Sequence, residues 1–209
     1  TTASYNVGVG NDVLGANTSG ANNTGVGYNS LGANTTGGSN TAVGKGALDA
    51  NTTASNNVAV GQDSLGSNSA GGENTALGLS AMAGNTTAAN NVAVGYIALL
   101  TNTAGANNVA MGSAAMRMNT TGANNVAVGG IALNANTTAS YNIAVGYGAL
   151  QLNTTGASNV AVGYAALDAN TTANNNTAVG YAALGALNAG TANVGVGTNA
   201  ADALTSGNY

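Results

Sequence analysis

Residues 124–140, NNVAVGGIALNANTTAS, run directly into residues 141–157, YNIAVGYGALQLNTTGA, and the two stretches match at most positions without a gap. The same seventeen-residue unit fills the whole chain, because a glycine returns at this spacing throughout. An array of independent folds would tolerate length drift in its loops, so a period without insertions predicts identical coils stacked into a solenoid. The glycines that mark the period are Gly10, Gly27, Gly44, Gly61, Gly78, Gly95, Gly112, Gly129, Gly146, Gly163, Gly180 and Gly197.

Each unit contains a pattern such as Asn-Val-Ala-Val-Gly at residues 125–129, which predicts a short β-strand followed by a turn. Residues two positions apart share one strand face, and the residue between them points to the other face. We expect the two valines to face the coil interior, together with the leucine of a later Ala-Leu pair such as Leu133. The alanine would then face outwards and pack against a neighbouring chain. This predicted chain-chain packing rank consists of Ala42, Ala59, Ala76, Ala93, Ala110, Ala127, Ala144, Ala161 and Ala178.

Most units end with an Asn-Thr-Thr segment followed by glycine or alanine, as at residues 136–139 and 153–156. Asparagine and glycine tolerate positive φ, and asparagine and threonine side chains bond to nearby backbone, so we expect the second corner of the coil here. Copies of this asparagine should stack as ladders. The unit lacks the apolar spacing of an amphipathic helix and is rich in glycine, asparagine and threonine, which excludes a helical fold.

These features predict an all-β protein, a parallel β-solenoid of about twelve coils, with one repeat domain over residues 1–209. Residues 1–6 fit the middle of a repeat and Tyr209 falls inside another copy, so we expect a segment of a longer fibre. Each coil has few large apolar side chains, which favours association between chains. We predict a homotrimer, and a lone monomeric solenoid is the alternative.

Charge and composition exclude several function classes. Only Lys45 and Arg117 are basic, against six acidic residues. The chain cannot neutralise a row of phosphates, so we expect no nucleic-acid partner. No apolar stretch has the length of a membrane span, so no membrane insertion is expected in this segment. Histidine and cysteine are absent, and we therefore expect no cofactor, no metal site and none of the usual catalytic triads.

Carboxylates are the remaining candidates for catalysis. Asp49 and Asp63 lie on adjacent coils, where a carboxylate pair could hydrolyse a glycosidic bond. They occupy different columns of the repeat, and we expect nothing nearby to raise the pKa of either. Residues 10–12, Gly-Asn-Asp, resemble a calcium-binding solenoid turn, but the aspartate does not recur in the next coils. We predict that the protein is not an enzyme, and the catalytic alternative is a polysaccharide-degrading solenoid.

Tyrosine follows the turn glycine in several units, and Tyr147, Tyr164 and Tyr181 fall on consecutive coils. An exposed aromatic strip can stack on sugar rings, so these three residues are a candidate contact with a glycan or receptor. The alternative is a ladder that packs on itself or on a neighbouring chain. Many Asn-x-Thr triplets match N-glycosylation acceptors, but the recurring turn explains them without modification.

Units such as residues 142–150, NIAVGYGAL, resemble the head repeats of trimeric autotransporter adhesins of the YadA-like type. Residues 176–184, NTAVGYAAL, with the tail NTTG at residues 153–156, resemble equally the shaft repeats of some bacteriophage tail fibres. The resemblance covers essentially the whole chain. It implies a left-handed parallel β-roll in a homotrimer, displayed outside a cell or on a virion and engaged in attachment. The adhesin heads usually have shorter coils, which favours the phage-like relatives.

Together these observations predict a structural and adhesive fibre module, located extracellularly at a cell surface or on a virion, that spaces or presents an attachment site. Its partners would be copies of itself and a cell-surface glycan or receptor, with multivalency along the rod multiplying weak contacts. The alternative is an ice-binding solenoid, because stacked threonines can order water. That ladder would comprise Thr18, Thr35, Thr52, Thr86, Thr103, Thr120, Thr137, Thr154 and Thr171.

Overall fold

The computed structural model describes residues 3–207, in which twelve three-residue strands form one parallel sheet whose order is the chain order. Thr1, Thr2, Asn208 and Tyr209, which the predicted domain also includes, lie outside the described residues. The strands are β1 (Val7–Val9), β2 (Thr24–Val26), β3 (Thr41–Val43), β4 (Val58–Val60), β5 (Thr75–Leu77), β6 (Val92–Val94), β7 (Val109–Met111), β8 (Val126–Val128), β9 (Ile143–Val145), β10 (Val160–Val162), β11 (Thr177–Val179) and β12 (Val194–Val196).

Each strand pairs with the strand one repeat later, and the register does not change along the chain. Val126 of β8 lies opposite Ile143 of β9. Coils also bond outside the strands, where the amide of Leu133 donates to the carbonyl of Ala149 at 2.9 Å. Equivalent residues therefore stand in vertical columns, and the predicted parallel β-solenoid is confirmed. Residues 3–207 contain no helix, and so none that is long and apolar enough to cross a membrane.

The coil interior contains the leucine column and the central residue of each strand. Leu133, Ala127 and Ala132 are fully buried. The prediction that the leucine lies inside is confirmed. The prediction for the strand is wrong, because Val126 and Val128 are only half-buried and flank a central alanine that points inwards.

The strand has this orientation because the space behind its central residue is narrow. A Cβ atom built on Gly195 would lie 2.7 Å from Cγ of Leu184, and one built on Gly25 would lie 2.5 Å from Cγ1 of Val13. The interior side chains lie so close to the strand that its middle position has room for a methyl group at most. Valine at this position would overpack the core.

The glycine after each strand turns the chain at positive φ, as predicted. Gly112 has a φ of 132°, and a Cβ atom on it would lie 2.6 Å from the carbonyl carbon of Gly129 in the next coil. Positive φ also occurs at the buried leucines, such as Leu133 with a φ of 51°, which the sequence did not predict. This backbone conformation is costly for a bulky side chain. Burial of the leucine and the bonds between coils hold it there.

Two columns of buried asparagine bond the coils together. In the corner column, Nδ2 of Asn136 donates to Oδ1 of Asn119 at 2.8 Å and to the carbonyl of Ala139 at 3.1 Å. In the column before the strand, Nδ2 of Asn125 donates to the same Ala139 carbonyl at 2.9 Å, and Oδ1 of Asn125 accepts from the amide of Asn142 at 2.9 Å. The predicted ladders are confirmed, and at most levels both converge on one carbonyl.

The corner ladder ends at Asn170. The position one repeat later holds Leu187, which is buried and has no amide to donate. As a result, Oδ1 of Asn170 is the one buried side-chain polar atom in residues 3–207 that lacks a hydrogen-bond partner. Asn188 stands instead in the threonine column, where its Oδ1 accepts from Oγ1 of Thr171 at 2.6 Å. The one-residue shift visible in the sequence therefore interrupts the ladder.

Candidate functional site

The outward side chains of the twelve strands form an apolar surface, which we call the valine face. It has two columns, one on each side of the buried central residue, and neither contains a charged residue. The first column is Val7, Thr24, Thr41, Val58, Thr75, Val92, Val109, Val126, Ile143, Val160, Thr177 and Val194, and the second is Val9, Val26, Val43, Val60, Leu77, Val94, Met111, Val128, Val145, Val162, Val179 and Val196.

Solvent reaches the valine face along the whole rod. Val60, Met111 and Ile143, in three different coils, are 38%, 42% and 41% exposed. Large contiguous apolar surfaces on a folded chain mark interaction sites, whereas single exposed apolar residues do not. The valine face is therefore the candidate interaction surface of this protein.

The predicted alanine packing rank is wrong as an interface. Its members are fully buried inside their own chain, because the central residue of each strand faces the leucine column. The outward surface of the strands is the valine face instead. The residues that this correction concerns are Ala42, Ala59, Ala76, Ala93, Ala110, Ala127, Ala144, Ala161 and Ala178.

One signal in the sequence distinguishes the two strand faces. The central position is always alanine or glycine, whereas the flanking positions vary among valine, isoleucine, threonine, leucine and methionine. A tightly packed interior restricts side-chain volume, and a surface accepts variation. The uniform rank of small residues thus indicates the interior, and the variable apolar ranks indicate the surface.

Tyr147, Tyr164 and Tyr181 form a ladder that begins two residues beyond the valine face. The ring centroids lie 5.7 Å apart for Tyr147 and Tyr164 and 5.1 Å apart for Tyr164 and Tyr181, with the planes within 12° and 8° of parallel. The predicted self-packing ladder is confirmed. Each side chain is still about half exposed. Because the rings cover much of one another's faces, a sugar would meet mainly their edges and hydroxyl groups.

The threonine column of the ice-binding alternative is bonded to the backbone. Oγ1 of Thr137 donates to the carbonyl of Thr154 at 3.1 Å, and Oγ1 of Thr154 donates to that of Thr171 at 2.9 Å. The next column along the chain is exposed but is interrupted by Ala70 and Ala104. This corner therefore presents to water only one exposed column of hydroxyls, which is interrupted and in which Oγ1 of Thr87 donates to the carbonyl of Thr103 at 3.5 Å, and this argues against a regular ice-binding array.

The carboxylates of Asp49 and Asp63 both lie close to Gly46. A Cβ atom on Gly46 would be 2.6 Å from Oδ1 of Asp63 and 4.0 Å from Oδ2 of Asp49. Burial raises the pKa of Asp49, hydrogen bonds from backbone amides oppose this effect, and the charge of Asp63 adds to it. The expectation that nothing would raise either pKa is therefore wrong for Asp49. Burial also raises the pKa of Asp168, where backbone hydrogen bonds again oppose it.

These raised pKa values predict that mild acid stabilises the fold. A carboxyl whose pKa is higher in the folded than in the unfolded chain opposes folding once it is ionised. Lowering the pH from about 7 towards the ordinary value of 3.8 should therefore raise the thermal unfolding midpoint slightly. The double variant Asp49→Asn, Asp168→Asn should lose most of this rise. A midpoint that falls as soon as the pH is lowered would contradict the prediction.

The part of the chain that the structure describes forms no pocket, and it brings no three acidic side chains together as metal ligands. The surface therefore consists of extended columns. Comparison with known proteins adds no relative, because no family model, curated protein or solved structure matches the chain. The class that the structure defines is a β-solenoid repeat protein, with the valine face as its most distinctive surface.

Proposed function

We propose that this chain is a structural module of an extracellular fibre, in which parallel copies pack side by side through their valine faces and present an attachment surface to the outside. The observation that carries the proposal is the valine face itself. It is apolar and uncharged, and it continues through all twelve strands. A chain that worked alone in water would gain nothing from keeping this surface apolar on every coil.

The internal bonding of the coil suits a stiff spacer. Strand pairing, turn bonds and asparagine ladders all connect residues one repeat apart, so each level is held by its neighbours in the same way. Bending the rod would stretch these bonds together rather than one at a time. Stability in such arrays comes from nearest-neighbour contacts, which allows a rod to be lengthened by adding coils.

Assembly through the valine face also provides the apolar burial that one coil lacks. The face has no charge, so its burial leaves no unpaired ion and should depend little on salt. Identical chains present identical columns, and a closed ring around the fibre axis would cover every valine face. Three chains is the number implied by the resemblance to adhesin heads and tail-fibre shafts, so the proposed partner is the chain itself as a homotrimer.

In this assembly the threonine corner and the tyrosine ladder, which lie outside the valine face, would stay exposed. The proposed contact with a cell-surface glycan or receptor is the ladder of Tyr147, Tyr164 and Tyr181, supported by its half-exposed hydroxyls and ring edges. Attachment would then rest on many weak, uncharged contacts along the rod. The proposed role is mechanical and adhesive and includes no catalytic step.

A charge in the valine face should separate the chains without unfolding them. Val128 is half-buried in the single chain and would be fully buried in the assembly. The variant Val128→Asp should therefore keep its β-rich circular dichroism spectrum. It should nevertheless lose association, because burying an unpaired carboxylate in an apolar contact costs on the order of several kcal/mol. Sedimentation velocity should give three chain masses for the wild type and one for the variant.

Thr121→Asp is the matched control, because Thr121 lies on the exposed corner of the preceding coil and outside the valine face. It introduces the same charge and should leave the sedimenting mass unchanged. A wild-type chain that sediments as a monomer at micromolar concentration would overturn the proposed assembly. The same conclusion would follow if Val128→Asp and Thr121→Asp had equal effects.

A further inference from the structure

The chain contains ten Asn-x-Ser/Thr triplets, the acceptor pattern for N-linked sugar, and the fold divides them into two groups. Eight have their asparagine in the corner column, and seven of these asparagines are fully buried. The asparagines of the corner group are Asn17, Asn34, Asn51, Asn85, Asn119, Asn136, Asn153 and Asn170, of which Asn17, in the first coil, is the one that is half-buried.

The corner group cannot accept a sugar in the folded chain. Nδ2 of Asn136 uses its two hydrogens in bonds to Oδ1 of Asn119 and to the carbonyl of Ala139. In Asn17, Nδ2 donates one hydrogen to the carbonyl of Gly20 at 2.9 Å, and Oδ1 accepts from Nδ2 of Asn34 at 3.2 Å. A bond from Nδ2 to a sugar would break the ladder and force a large polar group into the interior. The turn therefore accounts for these eight triplets, as the sequence suggested.

The other two triplets lie in a different column. They are residues 22–24, Asn-Asn-Thr, and residues 175–177, with the same sequence. Asn22 and Asn175 are exposed, at φ values of 59° and 61°. Their backbone amides donate to the carbonyls of Ser4 and Ala157, each at 3.1 Å. Their side-chain amides make no hydrogen bond within residues 3–207. The two positions are nine repeats apart in one column, which lies two residues before the strand.

The rest of this column contains no acceptor triplet, and the reason lies in the strand. Four other asparagines occupy this exposed column, but a valine stands two residues after each of them, at the start of the strand. They are Asn56, Asn90, Asn107 and Asn124. Only Thr24 and Thr177 combine a strand-initial threonine with an asparagine at the corner. The described fold thus separates two exposed acceptors from eight that are bonded in the corner column, seven of which are fully buried.

We propose that Asn22 and Asn175 are the N-glycan acceptor sites of the folded chain, independently of the fibre function proposed above. The donor is a sugar activated as a nucleoside diphosphate. Nδ2 of the asparagine forms a bond to the anomeric carbon, the bond from that carbon to the phosphate oxygen breaks, and the nucleoside diphosphate leaves with the electron pair. The amide gives up one proton to a base on the transferase. One sugar on each site would project from the corner next to the valine face.

The transferase must also reach the hydroxyls of Thr24 and Thr177, which lie half-exposed at the start of the valine face. The experiment therefore uses both the wild-type chain and the Val128→Asp variant, with a soluble N-glycosyltransferase and a nucleotide-activated hexose. Synthetic peptides of residues 19–27 and 133–141 test the enzyme on one accessible and one enclosed triplet. Sites are assigned by peptide mass spectrometry.

Both peptides should be modified, because neither sequence is folded. The native chain should gain at most two hexoses, at Asn22 and Asn175, in at least one of the two protein samples. The Asn22→Gln, Asn175→Gln variant should gain none. Modification of Asn136 in the native chain would overturn the proposal. Absence of sugar from Asn22 and Asn175 in both protein samples, with an enzyme that modifies both peptides, would also overturn it.

Discussion

Replacing Gly112 with alanine is expected to destabilise the rod strongly. The added Cβ would lie 2.6 Å from both the carbonyl carbon and the oxygen of Gly129, which are backbone atoms that cannot rotate away. The φ of 132° is also closed to residues with a side chain. We expect a loss of about 4 kcal/mol or more in the free energy of unfolding. Urea unfolding followed by circular dichroism measures this loss.

Gly66→Ala is the control for this experiment. Gly66 does not have a positive φ, and the nearest atom to a Cβ added there would be the carbonyl oxygen of Asp63 at 3.3 Å. The equivalent position one repeat later is already an alanine, Ala83. The expected change is within about 1 kcal/mol. Similar losses for both variants would mean that the coils are not packed level on level as described.

The second large effect is expected for Asn119→Leu in the middle of the corner ladder. Asn119 donates to Oδ1 of Asn102 at 2.8 Å and to the carbonyl of Gly122 at 2.9 Å, and it accepts from Nδ2 of Asn136 at 2.8 Å. Leucine removes all three bonds and leaves the Asn102 oxygen buried without a partner. The expected loss is about 3 kcal/mol, since each unsatisfied buried group costs roughly 1–3 kcal/mol. The shift in the urea midpoint measures it.

The reverse substitution, from leucine to asparagine, can be made in the same column at Leu187. Leu187→Asn places an amide one repeat after Asn170, whose Oδ1 now lacks a partner. The restored ladder bond should contribute about 1–3 kcal/mol, and the loss of the fully buried leucine side chain should cost about 2 kcal/mol, so we expect a net change within about 1 kcal/mol. The urea midpoint of Leu187→Asn should therefore shift much less than that of Asn119→Leu. If Asn119→Leu is neutral, the buried ladder is not a source of stability.

The repeat pattern alone predicts most of the architecture. A constant spacing between turn glycines predicts a constant strand register, and the pairing of Val126 with Ile143 agrees. The asparagine corner was also predictable, because asparagine, threonine and glycine have few other roles at such density. The tyrosine ladder follows from the same spacing, since Tyr147, Tyr164 and Tyr181 occupy one position in three successive units.

The candidate site was harder to predict because it depends on distances across the coil. Alternation along a strand separates two faces but does not say which one is inside. Valine is more apolar than the central alanine, so apolarity alone predicts that the valines face the coil interior. The structure reverses the assignment because the leucine column approaches the strand until Gly195 has no room for a side chain. The positive φ of Leu133 has a similar origin, since the coil closes over a buried side chain.

The amino-acid sequence by itself determined that equal coils stack in register, that glycine turns them and that asparagine ladders join them. Coils of equal length bring equivalent residues into one column, and backbone bonding between coils requires nothing more. Only the tertiary structure decided that the valines form the surface and the alanines the core. It also decided that seven acceptor asparagines are fully buried while Asn22 and Asn175 are exposed. Both outcomes depend on the width of the space inside the coil, for which the uniformly small central residue of the strand is the one signal in the sequence.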